Sequence, residues 1–188
     1  MNILLIAAVA ALALWAGVIY NRLVSLRNRS DGAWSDIDVQ LKRRHDLVAN
    51  LVDAVRAYAG HERETLQAVV EARVQAEDAV AGGDAAAAGV AESRLGRRLG
   101  SLIAVVEGYP ELKANENYLD LQRQLGVLED ALQNARRYYN AVVRDLNTRI
   151  QSLPDVIVAR AAGFSERAFF ELDDPSEAAV PRVGGGTE

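Results

Sequence analysis

The chain contains no cysteine among its 188 residues, which excludes disulfide bonds, zinc–thiolate centres, thiol nucleophiles and cysteine-linked lipid anchors. Histidine is scarce as well, since His45 and His61 are the only two. Glycine-rich phosphate loops, nucleophile elbows and kinase signatures are all missing. The sequence therefore indicates no particular reaction.

A basic stripe is also missing. The net charge is −5, and the segment from Ser165 onward holds six acidic against two basic residues, so it carries −4 of that total. The rest is nearly neutral, whereas a general nucleic-acid binder normally presents a basic surface. We therefore expect no nucleic-acid partner.

The most prominent feature that is present is an uncharged apolar run over residues 3–20. As a helix its 18 residues would extend about 27 Å, close to the hydrocarbon thickness of a bilayer. The alternative is a cleaved signal peptide, but the one small-residue motif, Ala11-Leu12-Ala13, lies inside the run, and Met1-Asn2 brings no basic side chain. We expect a retained single-pass anchor, with Trp15 and Tyr20 at its interfacial end.

Basic residues follow this run and indicate its orientation. Arg22, Arg27 and Arg29 lie within ten residues of its end. The positive-inside rule then predicts a short outside N-terminus and a cytoplasmic domain.

Sparse turn signals divide the remainder into four predicted helices. Gly60, Gly82-Gly83-Asp84 and Gly108-Tyr109-Pro110 are typical helix ends and starts, and Pro154 ends the last helix. The predicted helices run to about residue 59 and over residues 61–81, 84–107 and 110–152. Short connections favour antiparallel neighbours.

Apolar residues recur at alternating steps of three and four, which indicates a packed bundle. We predict an all-α fold in which an N-terminal transmembrane helix leads into an antiparallel up-down four-helix bundle with long first and fourth helices. Arg44 occupies a seam position, where it is either buried and paired or extends its head past an apolar stem. The seam positions of the two long helices are Trp34, Ile37, Leu41, Arg44, Val48, Leu51, Val55 and Tyr58, and Leu121, Leu125, Leu128, Leu132, Ala135, Tyr139, Val142 and Leu146.

The C-terminal part presents aromatic and aliphatic residues close to the predicted membrane surface. They either cover the open end of the bundle or contact lipid. These candidate membrane-proximal contacts are Val156, Ile157, Phe164, Phe169 and Phe170. The predicted boundaries are an anchor over residues 1–22, a bundle over 23–164 and an acidic, largely disordered tail over 165–188.

Neither histidine lies in a recognised metal-binding motif. A carboxylate-bridged di-metal bundle needs Glu-x-x-His, but Lys42 precedes His45 by three residues and Tyr58 precedes His61. The segment after His61 has no second histidine, so it is not a zincin helix. We expect no metal, no cofactor and no catalytic residues.

Two blocks of sequence closely resemble the LemA family of bacterial membrane proteins. The first is Ala33-Trp-Ser-Asp-Ile-Asp-Val-Gln-Leu-Lys-Arg-Arg-His-Asp-Leu-Val-Ala-Asn-Leu-Val52, preceded by Tyr20-Asn-Arg-Leu-Val-Ser-Leu-Arg27. The second comprises Ala114-Asn-Glu-Asn-Tyr-Leu-Asp-Leu-Gln122, Ala135-Arg-Arg-Tyr-Tyr-Asn140 and Arg144-Asp-Leu-Asn-Thr-Arg-Ile-Gln-Ser-Leu-Pro154, before Phe169-Phe-Glu171. The resemblance implies an N-out inner-membrane protein with a helical bundle and brings no agreed activity.

The resemblance also marks polar positions on the first and fourth helices. They would form either a partner-recognition surface or an internal hydrogen-bond network. They are Asp36, Asp38, Arg43, Arg44, His45, Asp46, Asn50, Asn115, Glu116, Asn117, Arg136, Arg137, Asn140 and Arg144.

These features lead to three functional hypotheses. The first is a non-enzymatic scaffold beside the lipid bilayer that binds an unidentified protein partner or further copies of itself. The alternative is a membrane-tethered metal-binding protein or enzyme that uses acidic residues with His45 or His61. The third is a lipid-surface sensor that uses the C-terminal phenylalanines.

Overall fold

The computed structural model describes residues 2–172 and contains only helices and connecting segments in that part of the chain. These described residues form six helices: α1 (Asn2–Tyr58), α2 (Arg63–Ala81), α3 (Ala85–Val106), α4 (Pro110–Lys113), α5 (Glu116–Gln151) and α6 (Asp155–Ala161). The prediction of an all-α fold with a long apolar N-terminal helix is confirmed. The prediction of four helices is corrected, because α4 and α6 were not expected.

α1 is continuous over 57 residues. Its first part is almost entirely exposed and is long and apolar enough to cross a membrane. Ser30, Asp31 and Gly32 form no break: the Ser30 hydroxyl donates to the Arg27 carbonyl at 2.8 Å, and nothing lies within 4 Å of a Cβ built on Gly32. The apolar segment therefore continues directly into the packed part of α1.

The predicted helix over residues 110–152 is interrupted at Asn115. The Asn115 side chain accepts hydrogen bonds from the backbone N–H groups of Asn117 and Tyr118 at 3.0 and 3.2 Å, so it caps a new helix, α5. Its amide nitrogen also donates to the Tyr58 hydroxyl at 3.1 Å. An N-cap with this tertiary partner is more favourable than an asparagine in a helix interior.

Helices α1 and α5 pack most extensively against each other and run in opposite directions. Tyr58 at the end of α1 meets Asn115 at the start of α5, whereas Ile19, at the end of the apolar segment of α1, packs with Ile150 near the end of α5. Helices α2 and α3 form the other close pair, and α2 also contacts α1.

The apolar core has three parts along the long axis. The part farthest from the apolar segment joins α1, α2 and α3 with α4 and the start of α5. The middle part joins α1, α3 and α5 with Phe170. The part beside the apolar segment contains only residues of α1, α5 and α6, together with Phe164. Thus α1 and α5 extend beyond the shorter α2 and α3, and α6 covers their extension.

The ordered body extends past the boundary predicted at residue 164. Residues 164–172, here called the strap, lie along α1, α3 and α5, and Phe170 is fully buried. The prediction of a largely disordered tail over residues 165–188 therefore does not hold for residues 165–172, which pack against the bundle. The remainder of that prediction, residues 173–188, lies outside the described residues.

Candidate functional site

A buried charge cluster joins three helices in the middle of the body. Arg44 Nη1 donates to Glu92 Oε2 at 2.7 Å, and His45 Nε2 lies 2.6 Å from Glu92 Oε1. Arg44 Nη2 also pairs with Glu129 Oε1 at 2.8 Å. The Glu92 side chain is completely buried and the Arg44 side chain is 6% exposed. Arg44 is thus buried and paired, and it connects α1 to both α3 and α5.

Glu92 was missed by the sequence interpretation, although a signal for it exists. On α3 the buried positions Ala88, Glu92, Leu95 and Leu99 continue the alternating steps of four and three. Glu92 therefore occupies a core position of α3, opposite the core position of Arg44 on α1. A charged residue at each of two facing core positions is a signature of a buried ion pair, because either charge alone would be costly.

The two histidines lie in different environments, and only His45 belongs to this cluster. His45 is buried against Glu92, whereas His61 is exposed in the turn after α1. Among residues 2–172 no group of three or more His, Asp or Glu side chains could hold a metal ion.

A second polar network holds the strap on α5. Asn140 donates from Nδ2 to the Phe170 carbonyl at 3.0 Å and accepts at Oδ1 from the Phe170 N–H at 3.0 Å. Asn147 makes the same pair of bonds to Arg167, each at 2.9 Å. Each carboxamide therefore satisfies both backbone groups of one strap residue, as a neighbouring β-strand would.

The spacing of the two asparagines matches that of an extended chain. Asn140 and Asn147 are two helical turns apart, and seven residues of helix rise about 10.5 Å. Arg167 and Phe170 are three residues apart, which extended backbone spans in about 10 Å. Asn140 and Asn147 can therefore bind Phe170 and Arg167 at the same time while α5 stays helical and the strap stays extended.

Aromatic packing anchors the same strap. The Phe170 ring packs edge-on against the Trp34 ring, with 5.7 Å between the ring centroids. The centroids of the Trp34 and Tyr139 rings are 5.5 Å apart. The Tyr139 hydroxyl donates to the Ala168 carbonyl at 3.0 Å, and burial raises the pKa of this phenol above its usual 10.0, which keeps it a neutral donor. On the other side, Gly89 of α3 faces the Glu171 carbonyl so closely that a Cβ would lie only 2.1 Å from it.

The structure divides the polar residues that the resemblance marked. Arg44, His45, Asn115 and Asn140 serve internal networks, and Arg136 is half-buried. Asp38 is partly buried and pairs with Lys42 at 2.7 Å. The exposed members are Asp36, Arg43, Asp46, Asn50, Glu116, Asn117, Arg137 and Arg144.

Two exposed members lie beside a groove between α1 and α5, here called the outer groove. Its volume is about 500 Å³, and its apolar surface includes Leu47, Leu128 and Val127, the last of which is 67% exposed. Arg43 and Asp46 line it from α1. The remaining lining residues are Gln40, Arg123, Gln124 and Ala131.

The predicted membrane-proximal contacts occupy two different levels. Phe164 packs against Tyr20 at 5.9 Å, at the end of the apolar segment, and Val156 and Ile157 lie on the neighbouring α6. Phe170 lies beside Trp34, and Phe169 packs in the same part of the core. Trp34 is fourteen helical residues, about 21 Å, beyond Tyr20. Phe169 and Phe170 therefore cover the bundle and do not lie at the end of the apolar segment.

Comparisons with known proteins identify relatives over most of the chain. The sequence profile of the LemA family matches residues 33–184. Magnetosome protein MamQ 1 of Paramagnetospirillum magneticum is 26% identical over 175 residues, which cover 81% of this chain and 64% of that protein. Protein LemA of Metamycoplasma hominis is 25% identical over 154 residues, which cover 82% of this chain and 69% of that protein. The chain thus spans about 64% of the length of its MamQ relative.

Proposed function

The chain belongs to the LemA family, and we propose that it is a non-enzymatic, single-pass membrane scaffold whose helical bundle holds a protein partner close to the bilayer. In this proposal α1, α2, α3 and α5 act as an antiparallel four-helix bundle. The N-terminus lies outside, and the bundle lies on the cytoplasmic side of a bacterial inner membrane.

The continuity of α1 is the observation that carries this proposal. Its exposed apolar part and its packed part belong to one uninterrupted helix of 57 residues. A continuous helix transmits orientation, whereas a flexible linker would leave the domain free to rotate. The bundle would therefore stand in a defined orientation on the membrane, as a scaffold requires.

The outer groove is the surface that we assign to the partner. Its apolar residues Val127 and Leu47 are flanked by Arg43 and Asp46. An apolar groove with charges of both signs at its edge suits an amphipathic helix, whose apolar stripe would bury Val127. That helix belongs either to another membrane-associated protein or to a second copy of this chain.

Site-specific photo-crosslinking in intact membranes tests the proposal. A photoreactive amino acid replaces Val127 in the outer groove, and in a control chain it replaces Val90 of α3, which is also an exposed valine, at 51%. We expect a discrete adduct from position 127, identified by mass spectrometry, and none from position 90.

Two outcomes would count against the scaffold. If only the uncrosslinked monomer is recovered from both chains, the outer groove binds no partner. If positions 127 and 90 give equal amounts of adduct, the crosslinking reflects random collisions and not a specific interface. An adduct of twice the chain's mass would identify the partner as a second copy.

A further inference from the structure

A second cavity opens at the end of the bundle beside the apolar segment, here called the membrane-end cleft. It has a volume of about 920 Å³ and lies between α1 and the end of α5. On α1 its lining begins at Asn21, directly after the apolar run, and ends at Arg29. Nine helical residues from Tyr20 to Arg29 rise about 14 Å. The near half of the cleft therefore lies at the depth of the headgroup layer, which extends roughly 5–8 Å beyond the hydrocarbon.

The charges in the cleft favour an anion. Arg22 and Arg29 lie on one face of α1, seven residues apart, and neither forms an ion pair within the described residues. Arg149 is neutralised by Asp155 at 2.9 Å. The remaining acid is Asp145, so two free guanidinium groups face one carboxylate.

Hydrogen-bond donors accompany these cations. The Ser25 hydroxyl and the Asn21 amide line the cleft from α1, and the Thr148 hydroxyl lines it from α5. Guanidinium groups and hydroxyls together are the donors that phosphate oxygens accept from.

Exposed apolar side chains lie next to this polar cleft. Leu153, which lines its edge at the corner between α5 and α6, is 78% exposed, and Ile157 on α6 is 64% exposed. Since Ile150 packs against Ile19 within the apolar segment, the α5–α6 corner reaches the level of lipid. Water is a poor environment for these two side chains, whereas acyl chains would bury them.

We propose that the membrane-end cleft binds the phosphate headgroup of an anionic phospholipid, with Arg22 on the phosphate at headgroup depth, with Arg29 reaching back to it from the outer end of the cleft, and with Leu153 and Ile157 against the acyl chains. Helix side chains lean toward the N-terminus, so the long Arg29 side chain extends toward the membrane. The proposal rests on membrane insertion of α1. It is independent of the outer groove, so a failed search for a protein partner would leave it standing.

Thermal unfolding of the full-length protein in a neutral detergent tests this binding. The protein is titrated with detergent-solubilised phosphatidylglycerol, with phosphatidylcholine or with inorganic phosphate, and the half-saturating concentration is read from the rise in Tm. We expect phosphatidylglycerol alone to raise Tm. If phosphatidylcholine raises Tm as much as phosphatidylglycerol does, the cleft has no preference for an anionic headgroup. If inorganic phosphate raises Tm as much, the cleft is a site for a free anion and not for a lipid.

Substitutions locate the effect. Each cation beside a membrane contributes about a five-fold gain in affinity for anionic lipid, so R22Q/R29Q should weaken phosphatidylglycerol binding about thirty-fold. The control R97Q/R98Q removes the same charge from exposed positions on α3 and should leave binding unchanged. Equal weakening by both pairs would reduce the effect to net charge and overturn the proposal.

A gain of affinity provides a test that a folding defect cannot mimic. D145N removes the unpaired carboxylate from the cleft and should tighten phosphatidylglycerol binding several-fold. An unchanged or weaker affinity would contradict the assignment of the headgroup to this cleft.

Discussion

Substituting Gly89 with alanine should destabilise the protein, although alanine is the better helix former. Gly89 lies inside α3, where exchange of glycine for alanine normally contributes about 1 kcal/mol of stability. A Cβ at this position would lie 2.1 Å from the Glu171 carbonyl oxygen, whereas ordinary contact requires at least 3.4 Å. The strap must therefore retreat by more than 1 Å.

The cost follows from what holds the strap in place. Detachment at this level exposes Phe170, whose burial contributes about 1.5–3 kcal/mol. It also breaks the two bonds between Phe170 and Asn140, each worth about 1 kcal/mol. After the helix-propensity gain is subtracted, the expected net loss is about 2.5–4 kcal/mol, a fall in Tm of roughly 5–16 °C for a chain of this size.

Gly100 provides the matched control, because it lies in the same helix and nothing lies within 4 Å of its added Cβ. G100A should raise Tm by roughly 2–4 °C, as measured by circular dichroism at 222 nm in detergent. In a chain that also carries Phe170→Ala, which loosens the strap, the loss caused by G89A should shrink. Equal stabilisation by G89A and G100A in the otherwise unchanged chain would refute the packing of the strap against α3.

Three further predictions concern the buried networks. R44M leaves Glu92 without its cation and should lower the free energy of unfolding by about 3–5 kcal/mol in chemical denaturation; E92M in the same chain should recover part of this, and an additive loss would contradict the pairing. N140A should cost about 1–3 kcal/mol. The control N134A removes a carboxamide that accepts from the exposed Arg137, and it should change stability by less than about 0.5 kcal/mol; equal losses would argue against the strap bonds. Above pH 10 the unfolded chain loses the Tyr139 proton before the folded chain does, so stability should fall with pH, and Y139F should make that fall less steep. An unchanged pH profile in Y139F would contradict the burial of this phenol.

Local patterns explain why the helices could be predicted and why their number could not. The glycines before Asp84 and the alternating apolar steps identify α2 and α3 to within about two residues of their observed bounds. The break at Asn115 combines a local N-cap with a hydrogen bond to the Tyr58 hydroxyl, which is 57 residues distant in sequence. Asparagine is a favoured N-cap residue, but the sequence interpretation did not use this signal and the distant bond leaves no local pattern, so α4 and α5 were predicted as one helix.

The candidate residues show the same division. The seam position of Arg44 indicated that it would be buried or would extend past the seam, but its partner Glu92 was identified only once α3 was placed beside α1. Asn140 was marked as part of either a recognition surface or an internal hydrogen-bond network, and Asn147 was not marked at all. Their role requires a strap that returns antiparallel to α5, and a polar residue on a helix gives no sign of an extended segment bound to it.

The apolar helix, the helical class and the amphipathic faces could be predicted from the amino-acid order, because they depend on residues within one or two turns of each other. The packing of the helices was needed to establish which polar residues are internal, where the strap lies and which cavities open between α1 and α5. Those features depend on the relative placement of segments that are distant in the chain. The spacing of apolar residues indicates that one face of a helix is buried, but it does not identify the segment that packs against that face.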